Sequence, residues 1–182
     1  MQLPLRGLLL NGGKSSRMGT AKGALKIGEL TLVQYMTQQL AAAGVSDIVI
    51  SGDEVPDQFA DQGPLGGIEA VLTAHPGARW LVVPIDMPQL DVATLRQLID
   101  QGEMAHTCVH FAASVLPLYI ASGDDCLASV RACLRSDNHK HWSIRNWLAS
   151  QQCCRVAAPN ESVLDNINTP QQWHSFLANN NL

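Results

Sequence analysis

The sequence is short of positive charge. Its 182 residues carry 12 Lys and Arg against 16 Asp and Glu, for a formal net charge of −4. A surface built for a long polyanion needs a basic excess, so the balance argues against nucleic acid as a partner. Paired cysteines are also missing. None of Cys108, Cys126, Cys133, Cys153 and Cys154 has the C-x-x-C spacing of a zinc or redox site, and the last two are adjacent. They read as reduced and mostly buried, because a free cysteine behaves as a small hydrophobe. No apolar run approaches the roughly 18 residues of a membrane helix. The first apolar run passes straight into Gly-Gly-Lys, unlike a signal peptide. The expectation is a cytoplasmic protein with free thiols. Internal repeats and dividing linkers are absent too, so residues 1–182 read as one domain, within the usual span of about 100–200 residues. At 46% hydrophobic residues, such a chain can bury a sizeable core.

What is present is an alternation. Residues 5–10, 47–50 and 80–85 are short, nearly continuous apolar runs and read as buried strands. Residues 31–43, 64–75 and 92–101 carry apolar positions at helical spacing, with stop signals at Gly44 and at Pro76-Gly77. Strand–helix alternation with apolar strands predicts an α/β fold, a mostly parallel sheet covered on both faces. Beyond it, 107–113 and 115–120 read as two strands separated by Ser114. Residues 124–134, 143–150 and 170–177 read as helices, and 155–158 as a short strand.

The positive charge is concentrated. Arg6, Lys14, Arg17, Lys22 and Lys26 precede a stretch with no Lys or Arg until Arg79. They surround a glycine-rich loop, 11–22, at the carboxyl end of the first strand, which is where parallel sheets bind ligands. Glycine backbone approaches phosphate oxygens closely, and the cations offset their charge. The Walker A spacing fails, because it requires glycine where Leu8 stands. The dinucleotide fingerprint fails because Gly12 and Gly13 are adjacent.

The run Leu10-Asn11-Gly12-Gly13-Lys14-Ser15-Ser16-Arg17-Met18-Gly19-Thr20-Ala21-Lys22 resembles the signature of nucleotidyltransferases that activate small molecules with a nucleoside triphosphate. Within that superfamily the chain is most similar to the molybdenum cofactor guanylyltransferases. "GPLGGI" at 63–68, "VPIDMPQL" at 83–90 and "NINTPQQW" at 166–173 resemble that family's other motifs, in order. The resemblance implies a three-layer Rossmann-like nucleotidyltransferase fold. It also implies transfer of GMP from GTP to molybdopterin with Mg²⁺, and a division into a nucleotide-binding half, 1–102, and an acceptor-binding half, 103–182. Transient contact with molybdoenzymes or cofactor chaperones is implied as well, and neither nucleic acid nor membrane.

The resemblance also assigns roles. Leu10, Asn11, Gly12, Gly13, Gly63, Pro64 and Leu65 would line the nucleotide site. Arg17 and Lys22 would hold the triphosphate, where fixed cations stabilise charge moving onto leaving pyrophosphate. Asp86, ending an apolar strand between Pro84 and Pro88, would carry the metal, since Mg²⁺ needs only one or two carboxylates beside phosphate oxygens. A helix-capping role falls more naturally to Asp91. Asp57 would accept from base or ribose, with Asp61 competing for that role. Asn166 and Asn168 would sit near the metal and the acceptor, although turn chemistry before Pro170 is an alternative for both.

The chain departs from the family pattern at three points. Asn11 replaces a usual Ala, Ala21 a common Asp, and the segment between Cys108 and Pro117 is short and mostly apolar where a longer polar hairpin is usual. Lys140, Arg145, His139 and His141 are either helpers for an anionic acceptor or a solvated helix face. Two rival readings keep a nucleotide site. One is CMP transfer from CTP to molybdopterin or another phosphorylated acceptor, against which Gly12-Gly13 counts. The other is a non-catalytic carrier of nucleotide or cofactor, against which Lys22 and Asp86 count.

Overall fold

The computed structural model describes residues 2–11, 22–45, 47–52 and 62–180. Six strands form one sheet: β1 (Leu5–Leu10), β4 (Ile48–Ser51), β5 (Arg79–Pro84), β6 (Cys108–Phe111), β7 (Ser114–Ile120) and β8 (Cys153–Val156). Their spatial order is β4-β1-β5-β7-β6-β8. β1 pairs in parallel with β4 and β5, and β6 with β8, while β7 runs antiparallel between β5 and β6. The short β2 (Lys26–Ile27) and β3 (Leu30–Thr31) form a separate hairpin that turns at Gly28, in the left-handed region at φ 57°.

Among the described residues the α-helices are α1 (Leu32–Ala42), α2 (Pro64–Ala74), α3 (Val92–Ala105), α4 (Gly123–Leu134), α5 (Ile144–Ala149) and α6 (Pro170–Asn179). Alternate residues of the strands feed opposite faces of the sheet. Leu9, Leu81 and Val83 pack with α1, α3 and α6 residues such as Met36, Leu98 and Trp173. Leu8, Leu10 and Val82 pack with α2, α4 and α5 residues such as Ile68, Val130 and Trp147. The three-layer α/β arrangement expected from the apolar strands is therefore present.

Local chemistry sets the helix starts. Thr31 and Thr169 each form a capping box, with Gln34 and Gln172 respectively. The Asp91 carboxylate accepts from the Thr94 N–H at 2.7 Å and so caps α3. Asp86 has no such duty and remains available to the cleft.

Four expectations need correction. The strands read as 107–113 and 115–120 are Cys108–Phe111 and Ser114–Ile120, so Ala112-Ala113 makes the turn and Ser114 opens β7. The helix read as 92–101 runs on to Ala105, because Gly102 sits inside it against Tyr119 and does not end it. The strand read as 155–158 is Cys153–Val156, placed by its parallel register with β6. All five cysteines are free, but only Cys108 and Cys126 are buried, and Cys154 is exposed on β8 at the sheet edge.

Candidate active site

The carboxyl ends of β1 and β5 lie side by side, with Leu10 opposite Pro84. The ladder continues one step further, since the Ile85 N–H donates to the Leu10 carbonyl at 3.0 Å. The chain leaves both strands here, at the point where the strand order reverses from β4 on one side of β1 to β5 on the other. This is the crevice in which open α/β sheets bind ligands. A cleft of about 400 Å³ opens at that place.

Stretches of chain from the end of β1 to the 166–168 segment meet in it. After β1, the Asn11 N–H donates to Ser51 Oγ at the end of β4, 3.2 Å away. Gly23 packs close behind, where a Cβ would come within 2.6 Å of Asn11 Oδ1 and 2.8 Å of Val33. Asp86 follows β5. The 166–168 segment is tied to it by backbone, because the Ile167 N–H donates to the Asp86 carbonyl at 2.8 Å. Ile167 is itself buried and anchors the segment, leaving Asn166 and Asn168 on either side to line the cleft.

At the centre stands Lys22. Its Nζ donates to Asn168 Oδ1 at 2.6 Å and to Asp86 Oδ2 at 3.3 Å. The Lys22 and Asp86 side chains keep only 17% and 21% of their accessible surface, so bulk water screens this pair little. Asn168 also answers the alternative raised for it. Its backbone N–H serves the capping of α6, donating to Gln172 Oε1 at 2.8 Å, while its side chain faces Lys22. Turn chemistry and the cleft use different atoms of one residue.

The remaining expected residues are distributed as follows. Leu10, Asn11 and Pro64 line the cleft. Gly63 starts α2 at φ 69°, and Leu65 is fully buried in the core. Arg145 lies outside this cleft, on the wall of a neighbouring pocket. Lys140, His139 and His141 lie in an exposed 3-10 turn in which His139 stacks on Trp142 with ring centroids 4.1 Å apart. Gly12, Gly13, Arg17, Asp57 and Asp61 lie outside the described residues. Ser114, Val115 and Leu116 at the start of β7 also line the cleft, although they carry no motif that would mark them in the sequence.

The donor set suits a hard cation. Two oxygens, one from a carboxylate and one from an amide, already face a positive charge, and Mg²⁺ or Mn²⁺ prefers such ligands. Among the described residues there is no cluster of three or more His, Cys, Asp or Glu that could form an all-protein metal cage. Also among the described residues, no helix is long and apolar enough to cross a membrane.

Comparison with known proteins agrees with this geometry. The family model described as "MobA-like NTP transferase domain" matches residues 7–154. A molybdenum cofactor guanylyltransferase of Xanthomonas euvesicatoria pv. vesicatoria (strain 85-10) is 35% identical over 99% of this chain and 98% of its own. Molybdopterin-guanine dinucleotide biosynthesis protein A of Archaeoglobus fulgidus superposes with a TM-score of 0.67 at 16% identity, covering 93% of this chain and 95% of its own. A Mycobacterium tuberculosis H37Rv protein solved in complex with manganese superposes with a TM-score of 0.64 at 18% identity, covering 96% and 98%. With the family model covering most of the sheet and a relative matching end to end, the chain belongs to the MobA-like NTP transferases.

Proposed function

We propose that the protein transfers GMP from GTP to molybdopterin, releasing pyrophosphate and forming the guanine dinucleotide of the cofactor. The observation that carries the reaction class is the Lys22 ammonium held between Asp86 and Asn168 at the carboxyl ends of β1 and β5. The 35% identity to a guanylyltransferase over nearly the full chain supports the choice of nucleotide and acceptor.

A terminal phosphate oxygen of molybdopterin attacks the α-phosphorus of GTP. The bond from that phosphorus to the α,β-bridging oxygen breaks, and its electrons leave with pyrophosphate. Such a displacement needs positioning and charge compensation more than a protein nucleophile. Lys22 is placed to meet the charge that grows on the leaving group, and Arg17 is assigned to help it. Asp86, with Asn168 beside it, would hold Mg²⁺, which when bound offsets phosphate charge. Asn11, Gly12, Gly13, Gly63, Pro64, Leu65 and Asp57 are assigned to the nucleotide, and Asn166 and Asn168 to the junction with the acceptor.

The nucleotide side of the site comes from residues 1–102 and the acceptor side from 103–182. The six-stranded sheet runs through both halves, which supports a single catalytic domain. Work in the cytoplasm, with transient hand-over to molybdoenzymes or cofactor chaperones, completes the proposal. The test is incubation with Mg²⁺, molybdopterin and either GTP or CTP, with the dinucleotide identified by mass. Product from GTP alone is expected. Product from CTP alone, or tight GTP binding without product, would contradict the proposal.

A further inference from the structure

The cleft does not end at Ser114 and Val115. Both residues also line a second pocket, of about 180 Å³, which opens beside the β6–β7 turn. Arg145 of α5 and Arg155 of β8 stand on its wall, together with the buried His110 of β6. No carboxylate lines it. Among the described residues neither arginine makes an ion pair, whereas Arg6, Arg79 and Arg131 each meet a carboxylate. Two uncompensated guanidinium groups around a concavity create a local positive potential and present planar forks to an anion.

His110 adds a directional group. Its Nδ1 lies 2.7 Å from the Phe111 carbonyl and 3.1 Å from the Ser114 carbonyl. Carbonyl oxygens only accept, so Nδ1 carries a proton, and a ring with that tautomer presents Nε2 as an acceptor. The turn between the strands is just Ala112 and Ala113, whose small side chains leave the way in open.

We propose that this second pocket binds the end of the acceptor remote from its phosphate, and that it selects an acceptor that is negatively charged there and offers an N–H donor. The assignment rests on the reaction proposed above. Molybdopterin has this chemistry. Its dithiolene sulfurs, or the metal-oxo group they hold, supply the negative charge, and its pterin supplies N–H groups. With the attacking phosphate beside Lys22, the rest of the acceptor passes Ser114 and Val115 and reaches Arg145, Arg155 and His110.

The double variant R145Q/R155Q tests this. Both side chains are exposed, so the fold and melting temperature should persist. Losing even one charge-assisted hydrogen bond should raise KM for molybdopterin by about tenfold or more. The Kd for GTP by calorimetry should stay at the wild-type value, and kcat at saturating acceptor within about threefold. A molybdopterin KM within about twofold of wild type, or a loss of GTP affinity equal to the loss for acceptor, overturns the assignment. Wild-type protein that makes no dinucleotide from GTP and molybdopterin overturns the reaction itself. Product from wild type, with acceptor KM unchanged in the variant, overturns only the pocket.

Discussion

Lys22, Asp86 and Asn168 are single side chains whose roles separate experimentally. Asp86→Asn keeps the shape and the contact with Lys22 but removes the charge that a divalent cation needs. The variant should fold normally and lose most of its Mn²⁺ affinity, read by electron paramagnetic resonance in the presence of GTP; unchanged affinity would remove Asp86 from the metal site. Lys22 and Asp86 stood out in the sequence through the motifs that hold them, the glycine-rich loop after β1 and the aspartate that ends β5, and the structure brings the two side chains together. Asn168 was legible only through a motif, since its Lys22 partner is remote in sequence and the pairing depends on Ile167 bonding to the Asp86 backbone. Ser114 and Val115 were not legible as site residues. What brings them to the cleft is the antiparallel insertion of β7 beside β5, and single-sequence periodicity does not contain it.

At the scale of elements, apolar runs and capping residues located most strands and helices, and the misplacements have physical causes. Gly102 looks like a helix stop, yet it lies within α3 because the Tyr119 ring of β7 fills the space a Cβ would need. The helix ends instead at His106, which takes the left-handed conformation at φ 51° without the usual glycine. Gly102→Ala should therefore destabilise the protein by overpacking, by about 1–3 kcal/mol. At roughly 2–4 °C per kcal/mol for a domain of this size, a thermal melt should drop by several degrees, and an unchanged Tm would refute the packing account. The β2–β3 hairpin was not read at all, because two-residue strands are too short to show a period. A second joint links α2 to α4. The Glu69 carboxylate is fully buried and accepts from Arg131 Nε at 2.6 Å, with Thr73 bonded to both side chains. Arg131→Met leaves that carboxylate buried without its cation, and such losses cost about 3–5 kcal/mol. Denaturant unfolding should show a lower midpoint of that order, while a change below about 1 kcal/mol would mean that Glu69 finds another partner.

At the scale of the whole molecule, the sheet both stores stability and brings distant segments to one edge. Cys108 on β6 and Cys126 on α4 report on the first property. Their sulfurs are 3.8 Å apart in the core, and the Cys108 thiol is pushed well above its ordinary range by its hydrogen bond to Cys126 and by burial. Both should resist a thiol reagent until the protein unfolds, while Cys154 reacts at once; rapid reaction of all five in native protein would contradict the core as described. Layer order and overall class were legible, because buried parallel strands must be apolar throughout and helices must cover them. The position of β8 and the route from the nucleotide cleft to the second pocket were not, since both depend on which strands become neighbours. The measurement that tests the account most directly is transfer of label from [α-³²P]GTP to molybdopterin in the presence of Mg²⁺, with wild type beside Lys22→Ala. Wild type should give labelled dinucleotide and equimolar pyrophosphate, and the variant a kcat lower by about 10²–10³, the loss expected when one fixed transition-state charge is removed. Labelled product at the wild-type rate from Lys22→Ala, or none from wild type, would contradict the account.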